Sequence, residues 1–378
     1  MIFISYRKDD VQSVVDFLAE KLKRNFGQTA VFKDDRDIRA GESWAERIKE
    51  ELLASDVLLA VIGDKWLTML DEHGKRRIDN DKDWVRQEIC TALEANKPVI
   101  VILVNDAKMP TTEGLPGDCR LQDLPQRQYL RLRSGRDSES DIQQIVVELA
   151  RVVHQNATKS SHYHVVAFDL DGTLVRGQKP FSWKQIWDFL GYTDNIRKLG
   201  AQKYLKGEWT HQEWCTWACK MFRQKGLTRA SLCELGKSMR TVANLRETLV
   251  GLKEAGLVLG LISGGIDVFL TEAIPDAFEL FDHIYINRLQ FDTNGIISGV
   301  LANSFDFEGK VDALHDICTH SGCSIEQAVF VGEGFNDMAV LRQAGLSIAF
   351  SPVSEGIADV AIVLDQWDLA LLPPLLTF

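Results

Sequence analysis

The chain has 378 residues, which is enough for two or three domains of ordinary size. Hydrophobic residues make up 45% of it and charged residues 26%, so the composition excludes wholesale disorder. The formal net charge of −11 argues against nucleic acid as a partner. The chain opens on an apolar strand rather than a signal peptide, and no uncharged run reaches the roughly 18 residues of a membrane span. We therefore expect a soluble, cytoplasmic protein without a membrane partner.

The first 155 residues alternate short apolar segments with amphipathic ones. The apolar segments are rich in Val and Ile and predict buried strands at Ile2–Ser5, Thr29–Phe32, Val57–Ile62 and Val99–Val104. The amphipathic segments have helical spacing and predict helices at Val11–Arg24, Ser43–Leu53, Trp84–Ala95 and Ile142–Val153. Fully apolar strands separated by helices predict a parallel sheet covered on both faces, which is an α/β fold.

A polar, serine-containing segment over residues 156–162 is predicted to link this domain to a second one, 163–378. The alternation restarts there, with predicted strands at His164–Phe168, Leu257–Ile262, Ala328–Gly332 and Leu346–Phe350. A hairpin is predicted at His283–Phe291 and Ile296–Leu301, because Asn294-Gly295 favours a tight turn. The segment of about 180–246 has helical spacing and no clear strand. The second half therefore predicts an α/β core with a helical insertion after its first strand.

The seven cysteines are scattered along the chain and form no Cys-x-x-Cys pair. Such spacing indicates neither a disulfide framework nor a zinc site, so we expect buried, reduced thiols. The positions are Cys90, Cys119, Cys215, Cys219, Cys233, Cys318 and Cys323.

Polar residues follow the predicted strands of the second half. Asp169 and Asp171 come directly after its first strand, where one carboxylate can attack phosphorus and the other can protonate a leaving group. The turn through Gly172 and Thr173 exposes backbone N–H groups to phosphate oxygens. Ser263 follows a later strand and offers a hydroxyl to the phosphate.

Three further positions complete this pattern. Lys310 begins a helical segment, where its ammonium can neutralise the nucleophile and the phosphate. Glu333 and Asp337 follow another strand and offer the hard oxygen ligands that Mg²⁺ prefers. Since the carboxyl ends of strands in an open α/β sheet line one crevice, we expect all these side chains to meet there.

These motifs, in this order, resemble the haloacid dehalogenase superfamily of phosphatases, and most of all its phosphoserine phosphatase branch. The resemblance covers about residues 163–378 and implies a Rossmann-like core with a helical cap at about 176–245. It implies Asp169 as the nucleophile and Asp171 as the general acid and base. The implied ligands of Mg²⁺ are Asp169, the carbonyl of Asp171 and Glu333, with Asp337 in support. The implied contacts of the phosphate and substrate are Thr173, Ser263, Gly264, Lys310 and Asn336.

Two positions depart from that branch. Glu333 stands where the branch has Asp, and its longer side chain alters the metal site. Gln178 stands where the branch has a Glu that holds the amino group of serine, with Arg176 nearby. Since an uncharged amide cannot pair with an ammonium as a carboxylate does, the sequence predicts hydrolysis of a small phosphomonoester and argues against phosphoserine.

The first half carries a second set of polar and aromatic residues. Tyr6 and Arg7 follow its first strand, and Trp66 follows its third. Trp84 and Glu88 are four residues apart and share one helix face. With the charged loop 34–41, these features resemble a TIR domain of the bacterial kind over about residues 1–155, which implies a flavodoxin-like parallel sheet.

Two functions follow from the TIR resemblance. Some TIR domains cleave NAD at the bond between nicotinamide and ribose, by hydrolysis or cyclisation, and in those Glu88 would be catalytic. A carboxylate beside the ribose stabilises an oxocarbenium-like transition state. Tyr6, Arg7, Trp66 and Trp84 would line the NAD pocket. Other TIR domains are only assembly modules, and the loop 34–41, with Ala40 where many members have Pro, would then be the contact surface. The resemblance implies self-association in either case, since catalytic members often need it to complete their site.

The leading prediction is a bifunctional protein that cleaves NAD and hydrolyses a phosphomonoester, with a role in nucleotide signalling or antiviral defence. Two alternatives stay open. In one, the TIR domain is a non-catalytic scaffold attached to a metabolic phosphatase. In the other, the second domain is a phosphate-ligand sensor that gates the TIR domain.

Overall fold

The computed structural model describes residues 1–33, 44–157, 163–179, 181–303, 309–350, 352 and 356–376. The predicted loop 34–41 and most of the predicted linker 156–162 lie outside this described part. The chain divides into two compact units, 1–160 and 161–378, and each has its own sheet.

The strands of the N-terminal unit are β1 (Ile2–Tyr6), β2 (Val31–Lys33), β3 (Val57–Ile62), β4 (Val99–Val104) and β5 (Tyr129–Leu132). All pair in parallel, in the spatial order β2-β1-β3-β4-β5. Its helices are α1 (Lys8–Phe26), α2 (Trp44–Ala54), α3 (Trp84–Glu94) and α4 (Ser138–Ala157). A sheet of this order reverses its winding between β1 and β3, and ligands bind at the carboxyl ends of the strands at such a point.

The sequence predicted most of this unit. The bounds of β3 and β4 are as predicted, because every residue of both strands is buried and apolar. The edge strand β5 was not predicted, since it is short, carries Arg131 and buries only its last residue fully.

The C-terminal unit is built on a sheet of seven strands. The strands of this sheet are, in chain order, β6 (Val165–Phe168), β9 (Val258–Ile266), β10 (His283–Phe291), β11 (Ile297–Leu301), β12 (Ala328–Gly332), β13 (Leu346–Phe350) and β14 (Ile362–Leu364). Two short strands between β6 and β9, β7 (Val175–Arg176) and β8 (Arg240–Thr241), pair with each other in a separate two-stranded sheet. The order in space is β11-β10-β9-β6-β12-β13-β14, and only β11 is antiparallel to its neighbour. The first core strand, β6, therefore lies between β9 and β12 near the centre of the sheet.

Four helices lie between β7 and β8: α5 (Ser182–Phe189), α6 (Asp194–Leu205), α7 (His211–Gln224) and α8 (Arg229–Lys237). They pack around Trp187, whose ring lies 4.6 Å from that of Phe222 and 5.4 Å from that of Trp217. Trp187 is therefore part of the core of this insertion, and Trp183 and Trp217 pack against that core. The predicted α/β class, with a helical insertion after the first strand of the second sheet, is confirmed.

The remaining helices cover the seven-stranded sheet: α9 (Leu245–Glu254), α10 (Asp267–Ala273), α11 (Ala277–Leu280), α12 (Gly309–His320) and α13 (Met338–Leu341). Among the described residues, no helix is long and apolar enough to cross a membrane.

One cysteine prediction is wrong. Cys90 on α3 and Cys119 form a disulfide, with their Cα atoms 6.3 Å apart. The two positions are 29 residues apart in sequence, and only the packing of the segment 120–126 against α3 brings them together. The other five cysteines are free thiols, as predicted; three of them are buried, whereas Cys233 and Cys323 are half-buried.

Candidate active site

The C-terminal unit gathers its acidic residues where β6 ends. Asp169 follows β6 directly, and its N–H donates to the carbonyl of Val331 on β12. Asp169 and Asp171 are both buried, with 3% and 9% of their surfaces exposed. Because β6 lies between β9 and β12, the polar residues that follow these three strands meet at one edge of the sheet.

Lys310 supplies the central positive charge of this cluster. Its Nζ lies 3.0 Å from Oδ1 of Asp169 and 2.6 Å from Oδ1 of Asp337, and the side chain is fully buried. A charge that is removed from water in this way requires opposite charges around it. Lys310 therefore holds the two carboxylates in place.

Asp337 also shapes the loop that carries Glu333. Its Oδ2 accepts hydrogen bonds from the N–H groups of Glu333 and Gly334, at 2.9 and 3.0 Å. Both of its oxygens are thus used within the protein, one by Lys310 and one by the loop. The geometry makes Asp337 a support for Glu333 and Lys310.

Burial raises the pKa of Asp169 above its usual range, although the positive charge of Lys310 acts to lower it. Burial, together with the negative charge of Asp337, raises the pKa of Glu333 to about 7. Four buried carboxylates lie around one buried lysine, so the cluster has an excess of negative charge. Hard oxygen donors with excess negative charge fit Mg²⁺.

The predicted Mg²⁺ site has few carboxylate ligands. Among the residues that the structure describes, no three His, Cys, Asp or Glu side chains are grouped as a metal site. The predicted set has two carboxylates, Asp169 and Glu333, and the carbonyl of Asp171. Mg²⁺ is commonly held by one or two carboxylates, with waters and substrate phosphate completing its shell, so the donors present fit this ion.

The residues that the sequence predicts to bind phosphate lie against the acidic cluster. Ser263 is buried on β9, and its Oγ accepts a hydrogen bond from the N–H of Gly265 at 3.0 Å. A Cβ built on Gly265 would lie 3.1 Å from Oγ of Ser263 and 3.3 Å from Oδ2 of Asp171, so this loop packs onto Asp171. Thr173 is fully buried, and its Oγ1 has no hydrogen-bond partner among the described residues. Asn336 is half-buried in the loop of Glu333.

The role of Arg176 was not predicted. Its guanidinium donates to the carbonyls of Gly172 and Phe350, at 2.9 and 3.2 Å, and lies 4.4 Å from the ring centre of Trp367. The indole N–H of Trp367 donates to the carbonyl of Thr173. Together these two side chains fix the turn after Asp171. Gln178, two residues beyond Arg176, is exposed.

In the N-terminal unit, Glu88 is buried on α3 and accepts a hydrogen bond from Ser5 Oγ at 2.5 Å. With half-buried Trp84, it lines two adjoining cavities of 260 and 240 Å³. The larger one is also lined by Tyr6, by buried Arg7 and by two basic residues that were not predicted, exposed Lys8 and half-buried Arg77. The structure therefore brings Tyr6, Arg7, Trp84 and Glu88 together at this cavity, as expected.

Trp66 does not line either cavity, and Arg7 lines the larger one while its guanidinium is bound within the protein. Arg7 is buried and binds Asp83 with two hydrogen bonds of 3.0 and 3.1 Å, while its Nε donates to the carbonyl of Trp66. Asp83 in turn caps α3 by accepting from the N–H of Arg86. Trp66 is 1% exposed and lies in the hydrophobic core. These residues fix the start of α3. Arg7 also lines the larger cavity, together with Lys8 and Arg77.

Comparison with protein families agrees with this organisation. Residues 2–146 match the model of the TIR domain, and residues 163–345 match that of the haloacid dehalogenase-like hydrolases. The chain is a TIR domain fused to a haloacid dehalogenase-like hydrolase. Both resemblances drawn from the sequence are thereby confirmed.

The hydrolase domain is similar to curated phosphoserine phosphatases. The one from Archaeoglobus fulgidus is 27% identical over 241 residues, covering 64% of this chain and 66% of the relative. The one from Methanocaldococcus jannaschii is 24% identical, and the match covers 52% of this chain and 91% of the relative. The Mycobacterium tuberculosis phosphoserine phosphatase SerB2 is 28% identical, and the match covers 52% of this chain and 47% of the relative. The chain therefore spans less than two thirds of the length of the Archaeoglobus and Mycobacterium relatives. A solved substrate-bound phosphoserine phosphatase is 22% identical and covers 56% of this chain and 97% of its own, with a TM-score of 0.45.

The turn of the hydrolase domain at Gly172 gives a stability prediction. Gly172 has a φ of +82°, and a Cβ there would lie 2.4 Å from Oε1 of Glu333. Gly295 has a φ of +72°, but nothing lies within 4 Å of its Cβ position. We expect Gly295→Ala to lower the free energy of unfolding by about 1 kcal/mol through backbone strain alone. Gly172→Ala should lower it by about 1–3 kcal/mol more, because Glu333 must move.

Urea unfolding of the two full-length variants measures this difference directly. Equal losses in Gly172→Ala and Gly295→Ala would contradict a tight contact between Gly172 and Glu333.

Proposed function

We propose that the hydrolase domain hydrolyses a small phosphomonoester in a Mg²⁺-dependent reaction. The observation that carries this proposal is the buried cluster in which Lys310 lies 3.0 Å from Asp169 and 2.6 Å from Asp337. Asp171 follows two residues after Asp169 at the same edge of the sheet. A purely structural role would not require one lysine and four carboxylates to be buried together, since such charges are costly to remove from water.

Two steps account for the reaction. A carboxylate oxygen of Asp169 attacks phosphorus and forms an aspartyl-phosphate while the bond from phosphorus to the ester oxygen breaks. Asp171 gives its proton to the departing oxygen, which leaves as an alcohol. Water then attacks the aspartyl-phosphate, Asp171 takes a proton from it, and inorganic phosphate is released with Asp169 restored.

The other residues bind and orient the phosphate. Lys310 offsets its negative charge, and Ser263 Oγ and the backbone of Gly264 donate to its oxygens. Thr173 Oγ1 is a buried hydroxyl that has no hydrogen-bond partner within the described part of the chain. Asn336 would orient the rest of the substrate from the loop of Glu333. Mg²⁺, held by Asp169, the Asp171 carbonyl and Glu333, would add positive charge at the phosphate oxygens.

The substrate is proposed to be a phosphomonoester other than phosphoserine. The relatives are named phosphoserine phosphatases, which supports a small phosphorylated substrate. At position 178, however, this chain has an exposed glutamine, which has no charge to pair with an ammonium group. The test of the function itself is release of p-nitrophenol from p-nitrophenyl phosphate by the full chain with Mg²⁺, with EDTA, and after Asp169→Asn.

For the TIR domain we propose cleavage of NAD at the bond between nicotinamide and ribose. The observation that favours this function over a scaffold is the pair of cavities lined by Glu88 and Trp84. Lys8 and Arg77 line the larger cavity and would bind the pyrophosphate, while Trp84 offers a ring to an aromatic group. When the bond breaks, its electrons leave with nicotinamide, and the carboxylate of Glu88 stabilises the positive charge on the ribose. Water then adds to the ribose carbon and loses a proton, which gives ADP-ribose; in the cyclisation an atom of the ADP-ribose itself forms this bond.

Glu88→Gln should lower the release of nicotinamide from NAD by about 100-fold or more, because the amide keeps the size of the side chain but not its charge. Chromatography of NAD incubated with the full chain measures this loss. Glu94→Gln is a matched control, since Glu94 lies on the same helix and is exposed.

Equal release by wild type and Glu88→Gln would contradict the catalytic role of Glu88. No release by the wild type, alone or at concentrations where it self-associates, would instead favour the scaffold.

A further inference from the structure

The helical insertion of the hydrolase domain contacts the candidate active site through the first turn of α5. Ser182 is fully buried there, and both of its donors are directed at Asp171. Its backbone N–H donates to Oδ2 at 2.9 Å, and its Oγ donates to Oδ1. Each carboxylate oxygen of Asp171 therefore accepts a hydrogen bond from the same residue of the insertion.

The next residue, Trp183, contacts the phosphate-binding loop. Its indole N–H donates to the carbonyl of Gly264 at 2.9 Å. Two asparagines hold the same loop: Asn287 donates to the carbonyls of Gly264 and Gly265 at 2.7 and 3.1 Å, and Asn303 donates to that of Ser263 at 2.9 Å. Three consecutive carbonyls are thus held by side-chain donors.

These contacts determine where the N–H groups of the loop point. A peptide unit is planar and trans, so its C=O and the N–H of the next residue point in opposite directions. When the carbonyl of Ser263 is bound by Asn303, the N–H of Gly264 is directed away from Asn303. Trp183 and Asn287 fix the following peptide in the same way, and its N–H, that of Gly265, donates to Ser263 Oγ. The side chain of Ser263 is therefore oriented as well.

The first turn of α5 is itself held by the core of the insertion. The ring of Trp183 lies 6.1 Å from that of Phe222 on α7, and Trp187, one turn later on α5, lies 4.6 Å from the same ring. A movement of the insertion relative to the sheet would therefore move Ser182 and Trp183 together. Asp171 and Gly264 would both lose a donor in the same event.

We propose that Ser182 and Trp183 are positioning residues that couple the insertion to the active site: Ser182 orients the carboxyl group of Asp171, and Trp183 orients the phosphate-binding loop through Gly264. This inference rests on the proposed phosphatase function. Neither side chain needs to touch the reacting atoms. One contact acts on proton transfer and the other on phosphate binding, so the two substitutions have different kinetic effects.

The test for Ser182 compares two leaving groups. Benzyl phosphate releases an alkoxide that must be protonated, whereas p-nitrophenyl phosphate releases a stable phenolate that leaves without a proton. The measured constant is kcat/KM, which includes only the steps up to departure of the leaving group. We expect Ser182→Ala to lower kcat/KM about 10–100-fold for benzyl phosphate and less than about threefold for p-nitrophenyl phosphate. Ser182→Thr, which keeps the hydroxyl, should restore most of the loss.

The test for Trp183 uses inorganic phosphate as a competitive inhibitor. Trp183→Phe keeps an aromatic ring but removes the N–H donor. We expect the inhibition constant of phosphate to rise about fivefold, the equivalent of one hydrogen bond, while the ratio of kcat/KM for the two substrates stays at the wild-type value.

Two control variants separate these effects from general damage to the insertion. Ser238→Ala removes a hydroxyl that donates to the carbonyl of Leu235, and Trp209→Phe changes a ring that packs on Trp217. Both should leave the substrate ratio and phosphate inhibition unchanged.

Equal losses on both substrates in Ser182→Ala, or no rescue by Ser182→Thr, would overturn the role of Ser182. An unchanged inhibition constant in Trp183→Phe would overturn that of Trp183. Failure of the phosphatase function is a separate result, because the wild type would then hydrolyse neither substrate.

Discussion

Asp169→Asn should lower the turnover of p-nitrophenyl phosphate by about 1,000-fold or more, because an amide cannot form the aspartyl-phosphate. The side chain keeps its size, and it is 3% exposed, so the packing around it changes little. The wild-type enzyme should also form a phosphorylated intermediate that mass spectrometry locates on Asp169. EDTA should lower the wild-type rate, and added Mg²⁺ should restore it.

Asp312→Asn serves as the matched control for this substitution. Asp312 lies two residues from Lys310 on α12 and is exposed, so we expect wild-type turnover. If Asp169→Asn retained a tenth or more of the activity, another residue would have to be the nucleophile. Phosphate found on a different side chain would lead to the same conclusion.

Lys310→Met should lower the free energy of unfolding of the hydrolase domain by about 3–5 kcal/mol, because it leaves Asp169 and Asp337 buried without their partner. Methionine fills nearly the same space, so the loss reports on charge rather than on a cavity. Hydrogen exchange of β6 and β12 in the full chain, read by mass spectrometry, measures the effect in this domain alone.

Lys253→Met is the control, since Lys253 makes an ion pair of similar length with Asp282, 2.9 Å, at the surface. Exposed pairs contribute about 1 kcal/mol or less, so this variant should be close to wild type. Adding Asp337→Asn to Lys310→Met should recover part of the loss, because one uncompensated charge is removed. Equal losses in Lys310→Met and Lys253→Met would show that the buried cluster is not held together by Lys310.

The sequence predicted the fold best where strands are apolar along their whole length. The strands β3, β4, β12 and β13 have the predicted bounds, because all of their residues are buried. The strands β5, β7, β8 and β14 were missed. They have only two to four residues, and their positions depend on pairing with distant strands rather than on a local pattern.

In the candidate sites, spacing indicated which residues follow strand ends but not how buried side chains pair. It placed Asp169, Lys310 and Glu333 in one crevice because parallel strands end at the same edge. It could not show that Arg7 pairs with Asp83, since these residues are far apart in sequence and no motif relates them. The contact from Ser182 to Asp171 likewise depends on how the insertion folds back onto the sheet.

The close contact between Gly172 and Glu333 links two distant positions of the sequence. The longer side chain of Glu333 occupies the space that any Cβ at position 172 would need. Substitutions at the two positions are therefore coupled: a larger residue at position 172 carries the backbone strain of its positive φ and also requires Glu333 to move. Engineering of the proposed metal ligand Glu333 should begin with this pair, because changing one member alone alters the fit of the other.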